Sequence, residues 1–243
     1  MSKEVFYDSI AEDFDSIMSM YDTNRRIEVI FDDFLGDKNI EGKKLLDGGC
    51  GTGWFTKRAL ERKAKVTSID IAPKLVFLTK KKNPNTTAIQ GSLLELPFED
   101  NFFDIVISSE VIEHTPDPYL AAKELIRVLK PGGFLCITVP NRTFWYFSLK
   151  IARLFNLRKY KGYENWVHYN EFKKFLIKNN IEIKMHKGIH LFPFLISFLN
   201  PLLRKLDNIF DEKCGRIMVN IASFGIKKTN KKSVNSHTLK ILS

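Results

Sequence analysis

The stretch Leu45-Leu46-Asp47-Gly48-Gly49-Cys50-Gly51-Thr52-Gly53 constrains the fold of this chain more than any other. An apolar run ending in an acid reads as a strand, and a helical pattern resumes at Trp54. Between the two, Gly49, Gly51 and Gly53 let the backbone bend sharply and come close to a bound molecule, and the new helix points its free N–H groups at that molecule. Two phosphate-binding readings fail on spacing. The dinucleotide fingerprint G-x-G-x-x-G, counted from Gly49, finds Trp54 at its third glycine, and counted from Gly51 it finds Thr56. A phosphate-cradling loop ends in Gly-Lys-Ser/Thr, whereas this one ends in Gly53-Trp54-Phe55.

Strands and helices alternate beyond the turn. The β-branched run 65–70 reads as a strand, Pro73 opens a helix through 82, and 86–90 reads as a third strand. The stretch 96–109 is a turn followed by an almost wholly apolar strand, which is the signature of a central parallel strand covered on both faces. A helix over 119–129 stops at Lys130-Pro131-Gly132-Gly133, and 134–139 is the next strand. This alternation predicts a doubly wound α/β sheet with helices on both faces. A chain of 243 residues with 44% hydrophobic content suits one domain, expected over 1–228. Within it, 1–42 reads as an N-terminal helical cap, 43–141 as the cofactor half, and 142–228 as the substrate-side half with a helical insertion. In that last part 170–179 reads as a helix and 181–187 as a strand.

With Asp47 ahead of its glycines, the turn resembles motif I of the class I S-adenosylmethionine (SAM)-dependent methyltransferases. Glu113-His114-Thr115-Pro116-Asp117-Pro118, followed by Leu129-Lys130-Pro131-Gly132-Gly133, resembles the ubiquinone-biosynthesis type of O-methyltransferase. The resemblance implies a Rossmann-like seven-stranded sheet whose last strand, over 216–227, runs antiparallel, with a helical cap over the active site. It implies SAM as cofactor. SAM carries an ammonium, a sulfonium and a carboxylate but no phosphate, so an acceptor such as Asp47 suits its methionine end and would repel a pyrophosphate.

The implied cofactor set is Asp47, Gly49, Cys50, Gly51 and Gly53 in the turn, Asp70 and Ile71 at the second strand's end, Ser92 and Leu93 after the third, and Ser109 after the fourth. Asp70 lies about 20 residues after the glycines, where a carboxylate accepts both ribose hydroxyls. Ser92 departs from the pattern, because the family usually places an Asp there for the adenine amino group. Phe6-Tyr7-Asp8, Ala11 and Phe14-Asp15 resemble an opening motif that covers the cofactor in small-molecule methyltransferases.

Methyl transfer to a hydroxyl needs the acceptor positioned and its proton removed. His114 is the leading base, since a histidine side chain ordinarily titrates near neutrality and this one follows the fourth strand. Glu110, Glu113 and His114 together also make a candidate divalent-metal set, oxygen-rich and therefore suited to magnesium or manganese. His168, in Trp166-Val167-His168-Tyr169, is a candidate fourth ligand or second base.

Net charge is +10. Half of it is carried by Lys227, Lys228, Lys231, Lys232 and Lys240, which stand against no acid, and 229–243 reads as a disordered basic tail. A second acid-free run, 142–161, reads as a basic amphipathic helix that could touch a membrane surface, as could the 189–206 segment, whose apolar part 190–200 is only eleven residues long, broken by Pro193 and Pro201 and too short to span one. No separate RNA-binding module is visible, which weighs against nucleic acid. Three scattered cysteines and no signal-peptide pattern predict a cytoplasmic protein. The expected activity is methylation of a hydroxyl on a small or lipid-like acceptor, such as a phenol, a quinone precursor or a saccharide precursor. N-methylation of an amino sugar, RNA methylation and a non-catalytic SAM-binding module are the alternatives.

Overall fold

A computed structural model describes residues 3–146, 163–191, 204, 205, 207, 209–211 and 213–229. Seven strands form one sheet: β1 (Lys44–Gly48), β2 (Lys65–Asp70), β3 (Thr87–Gln90), β4 (Phe103–Ser109), β5 (Leu129–Pro140), β6 (Ile181–Ile189) and β7 (Asn220–Lys227). Their order is β3-β2-β1-β4-β5-β7-β6. The first five are parallel, and β7 runs antiparallel to both β5 and β6. This is the Rossmann-like doubly wound sheet expected from the sequence.

Strand alternation divides the core into two layers. Leu45, Ile105 and Ile107 face one side, where they pack with Val29, Ile30, Phe31, Phe34 and Phe55. Leu46 and Val106 face the other, where they pack with Ala121, Ala122 and Leu125. The helices supply those faces: α1 (Lys3–Ile10), α2 (Phe14–Ile17), α3 (Met20–Glu28) with a π-helical turn at Val29–Phe34, α4 (Trp54–Glu61), α5 (Pro73–Lys82), α6 (Pro118–Val128) and α7 (Tyr169–Lys178). Pro73 and Pro118 each occupy a first-turn position, where the missing N–H costs nothing. Asp117 caps α6 by accepting from the N–H groups of Tyr119 and Leu120.

The antiparallel strand is shorter than expected, starting at Asn220 and not at 216. Asn141, just past β5, donates through Nδ2 to the carbonyls of Gly215, Arg216 and Met218 at 3.0–3.1 Å. Those three carbonyls are turned toward one side chain, so the segment is held as a loop until the β5 ladder begins at Pro140 opposite Asn220. Most of the basic helix expected over 142–161, most of the 189–206 stretch and the tail beyond 229 lie outside the described residues. No helix among the described residues is long and apolar enough to cross a membrane.

Candidate active site

The carboxyl ends of β1, β2 and β4 open into a cavity of about 700 Å³, roofed by α1 and α2. Its floor is the glycine turn, where Gly49 (φ 81°) and Gly51 (φ 53°) take left-handed conformations. A Cβ on Gly49 would stand 2.3 Å from Val111 Cγ1, so this position admits no side chain. Asp70 clamps the turn: its Oδ2 accepts from the Gly51 N–H at 2.9 Å and its Oδ1 from the Ala72 N–H at 3.1 Å. Burial pushes its carboxyl up, and these backbone N–H groups oppose the rise.

The roof is bolted down by two acids. Asp8 accepts from the Lys74 N–H at 2.9 Å, at the start of α5. Asp15 accepts from Thr52 Oγ1 at 2.5 Å, Trp54 Nε1 at 3.1 Å and Lys82 Nζ at 2.5 Å, tying α2 to the glycine turn, α4 and α5. Phe14 lies over Gly51, and its ring meets Tyr7 edge-on at 6.4 Å. Arg26 of α3 is the only Arg or Lys among the described residues lining the cavity. It is buried, with Nε donating to Asp22 Oδ2 at 2.9 Å and Nη1 to Ser109 Oγ at 2.8 Å.

Comparison with known proteins shows what this region is similar to. A methyltransferase-domain family model matches residues 46–137. A demethylmenaquinone methyltransferase of Staphylococcus aureus is 37% identical over 122 residues, which are 47% of this chain and 51% of that protein. The segment 46–137 is thus similar to a methyltransferase domain. The chain spans about half the length of the curated relatives it matches. A SAM-dependent methyltransferase from Thermotoga maritima shares its fold at 18% identity, with a TM-score of 0.66 over 91% of this chain and 98% of that one. So does the [4+2]-cyclase SpnF, at 18% identity and TM-score 0.61 over 84% and 80%. The last likeness marks how far fold alone goes, since that protein is named for a different reaction.

In this chain Gly49, Cys50, Gly51, Asp70, Ile71, Ser92, Leu93, Ser109, Glu110 and His114 all line the cavity. Asp47 does not. It points with Leu45 toward the helix-covered face, where its Oδ2 accepts from Thr56 Oγ1 at 2.6 Å, and burial lifts its pKa to about 6. Gly53 also stands back from the cavity, as the left-handed residue that opens α4. His168 is exposed and precedes α7, its carbonyl accepting from the Phe172 N–H, and it is not among the lining residues.

The expected metal set is not assembled: among the described residues no three His, Cys, Asp or Glu side chains are grouped to hold an ion. The backbone explains the dispersal. Glu110 takes a left-handed φ of 57°, which turns it toward β7, where Oε2 accepts from Asn220 Nδ2 at 2.7 Å. Glu113 sits in a single 3-10 turn (Ile112–His114), is buried and does not line the cavity. Burial raises Glu110 to about 7 and Glu113 well above the usual carboxylate range, where the neighbouring Glu110 charge pushes it further. His114 stays at the cavity wall, with Nδ1 3.0 Å from the Tyr163 carbonyl and its ring edge-on to Tyr7 at 6.1 Å.

Sequence reasoning missed Arg26 and its partner Asp22. Both lie in the segment read only as an N-terminal helical cap, and Arg26 meets Ser109 across 83 positions of sequence.

Proposed function

We propose that the cavity binds SAM and that the protein methylates a small apolar acceptor carrying a hydroxyl, of the phenol or quinol kind. The observation that carries this reading is the pairing of Asp70 with the Gly51 N–H inside a cavity whose opposite wall holds one cation, Arg26. The residues present fit the cofactor. Asp70 offers carboxylate lone pairs to ribose hydroxyls, the glycine turn admits close approach, and Arg26 matches the amino-acid carboxylate. Ser92 and Leu93 border the adenine end, the serine offering a hydroxyl in place of the family's carboxylate.

When bound, the cofactor supplies a methyl group on a positively charged sulfur. The chain's part is to orient the acceptor, exclude water and take a proton. A carbonyl only accepts hydrogen bonds, so the contact with Tyr163 places the proton of neutral His114 on Nδ1 and leaves the lone pair on Nε2. Nε2 is the base that takes the acceptor's hydroxyl proton as the new carbon–oxygen bond forms. Glu113 Oε1 lies 3.6 Å from Nε2, with burial raising that carboxyl well above the usual carboxylate range, so it is a polar neighbour of the ring and not its counter-charge.

The acceptor's character follows from the roof. Ile10, Ile17, Met18 and Met20 line the cavity, and Ile17 is 61% exposed, so the cavity wall is apolar on the cap side. The Staphylococcus aureus relatives are named for a demethylated menaquinone, which supports a ring acceptor of this class.

The test is to incubate the protein with methyl-labelled SAM and either a soluble diphenol, a membrane lipid extract or total RNA. Label in the diphenol or a lipid-extractable product supports the reading. Label in RNA overturns the acceptor class, and SAM binding without transfer to any fraction favours a non-catalytic module.

A further inference from the structure

We propose that His190 is a positioning residue for the cofactor's carboxylate: through Asp22 it sets the charge that the Arg26 guanidinium presents to the cavity. His190 follows β6 directly and does not line the cavity, yet it is only 2% exposed. Its Nε2 lies 3.0 Å from Asp22 Oδ1, and its Nδ1 lies 3.5 Å from Asp207 Oδ2. The other oxygen of Asp22 accepts from Arg26 Nε and pairs with Nη2, both at 2.9 Å. Asp207 is fixed in turn, its Oδ1 accepting from the Leu191 N–H at 2.6 Å. Asp207, His190, Asp22 and Arg26 therefore form one buried row of alternating charge that ends in the cavity wall.

Two features separate this row from ordinary core filling. His190 has a φ of 63°, a left-handed conformation that a non-glycine residue holds only where the surroundings enforce it. And a ring with carboxylates at both nitrogens is matched only when both nitrogens carry protons, because a neutral imidazole would turn a lone pair toward one of them. Consistent with that, the two carboxylates hold His190 above the usual histidine range despite its burial, and Arg26 with His190 holds Asp22 below the usual carboxylate range. The groups facing the ring are Asp22 and Tyr21 from α3, the latter at 5.6 Å between centroids, and Asp207 from the segment before β7.

While His190 is charged, Asp22 divides its negative charge between two cations, and Arg26 presents a net positive field to the cavity. When His190 loses its proton, Asp22 offsets Arg26 alone and that field collapses. Anion affinity is therefore full below the histidine's ordinary pKa and falls as pH rises through its raised value. Glu110, beside Arg26, titrates near 7 and works in the same direction, so the experiment must separate the two.

This inference rests on the proposed cofactor reading, and calorimetry with S-adenosylhomocysteine tells the two apart. No binding at any pH defeats the cofactor reading. Binding that does not change between pH 6 and 8.5 defeats only the role of His190. The expected result is a roughly three- to tenfold loss of affinity across that range. Methylthioadenosine, which has the nucleoside but no carboxylate, should show no such loss. In His190→Gln the loss should be reduced to the share contributed by Glu110, and an undiminished loss overturns the proposal. Should that variant fail to fold, NMR titration of the intact protein still decides. By reciprocity S-adenosylhomocysteine must raise the pKa of the His190 ring and methylthioadenosine must not. An equal effect of the two ligands, or of neither, refutes it.

Discussion

Replacing Asp47 with Asn should leave the stability of this protein nearly unchanged in mild acid and increase it at alkaline pH. Asp47 is 2% exposed, and its one side-chain partner is the Thr56 hydroxyl, itself 2.7 Å from Ser68 Oγ. A neutral hydroxyl does not repay the cost of burying a carboxylate, and the Asp70 charge opposes ionisation further. The resulting rise from 3.8 to about 6, at about 1.4 kcal/mol per pH unit, means that ionised Asp47 costs the fold about 3 kcal/mol.

The sign follows from proton counting. Between the two pKa values the native state holds a proton that the unfolded state has released, so wild-type stability falls as pH rises through that window. Asn carries no charge to bury and keeps an acceptor for Thr56. The difference between variant and wild type, read from urea unfolding, should thus grow by about 3 kcal/mol from pH 4 to pH 8. Because Asp47 lines no part of the cavity, affinity for S-adenosylhomocysteine should change by less than about threefold. Parallel stability curves would refute the buried-carboxylate account. A large loss of affinity would return Asp47 to the binding surface.

Asp70→Ala should behave oppositely, losing affinity for S-adenosylhomocysteine by about 10- to 100-fold and stability by about 1–3 kcal/mol, since the Gly51 and Ala72 N–H groups lose their acceptor; calorimetry and urea unfolding measure the two effects. Gly51→Val should destabilise by a further route, because a β-branched residue at φ 53° is strained and its Cβ would lie 3.3 Å from Phe14 Cε1. A variant that binds S-adenosylhomocysteine normally would remove this turn from the cofactor site. Asp15→Ala should release α2 from Thr52, Trp54 and Lys82, and limited proteolysis within 3–17 should then accelerate with the sheet core intact. Unchanged cleavage would mean that Asp8 and the packing of Tyr7 and Phe14 hold the roof without Asp15.

Local chemistry wrote most of the fold into the sequence. The glycines at 49 and 51, Pro73 and Pro118 at helix starts, and the doubly apolar β4 act within a few residues of themselves, so their consequences can be read without knowing what they meet. Strand parity even contained the fate of Asp47: two residues after Leu45 it shares that side chain's face, which the fold covers with α4. Family likeness nevertheless drew attention to its charge.

Tertiary structure decided what depends on distance. Whether Glu110, Glu113 and His114 converge turns on a left-handed residue followed by a single 3-10 turn, and five-residue spacing does not specify those dihedrals. The cation of the cavity wall is further still from view. Arg26 reaches Ser109 across 83 positions, and Asp22 reaches His190 across 168. A buried ion row of this kind leaves no periodic trace, because each member looks like an ordinary polar residue until the sheet closes and water is excluded around all of them at once.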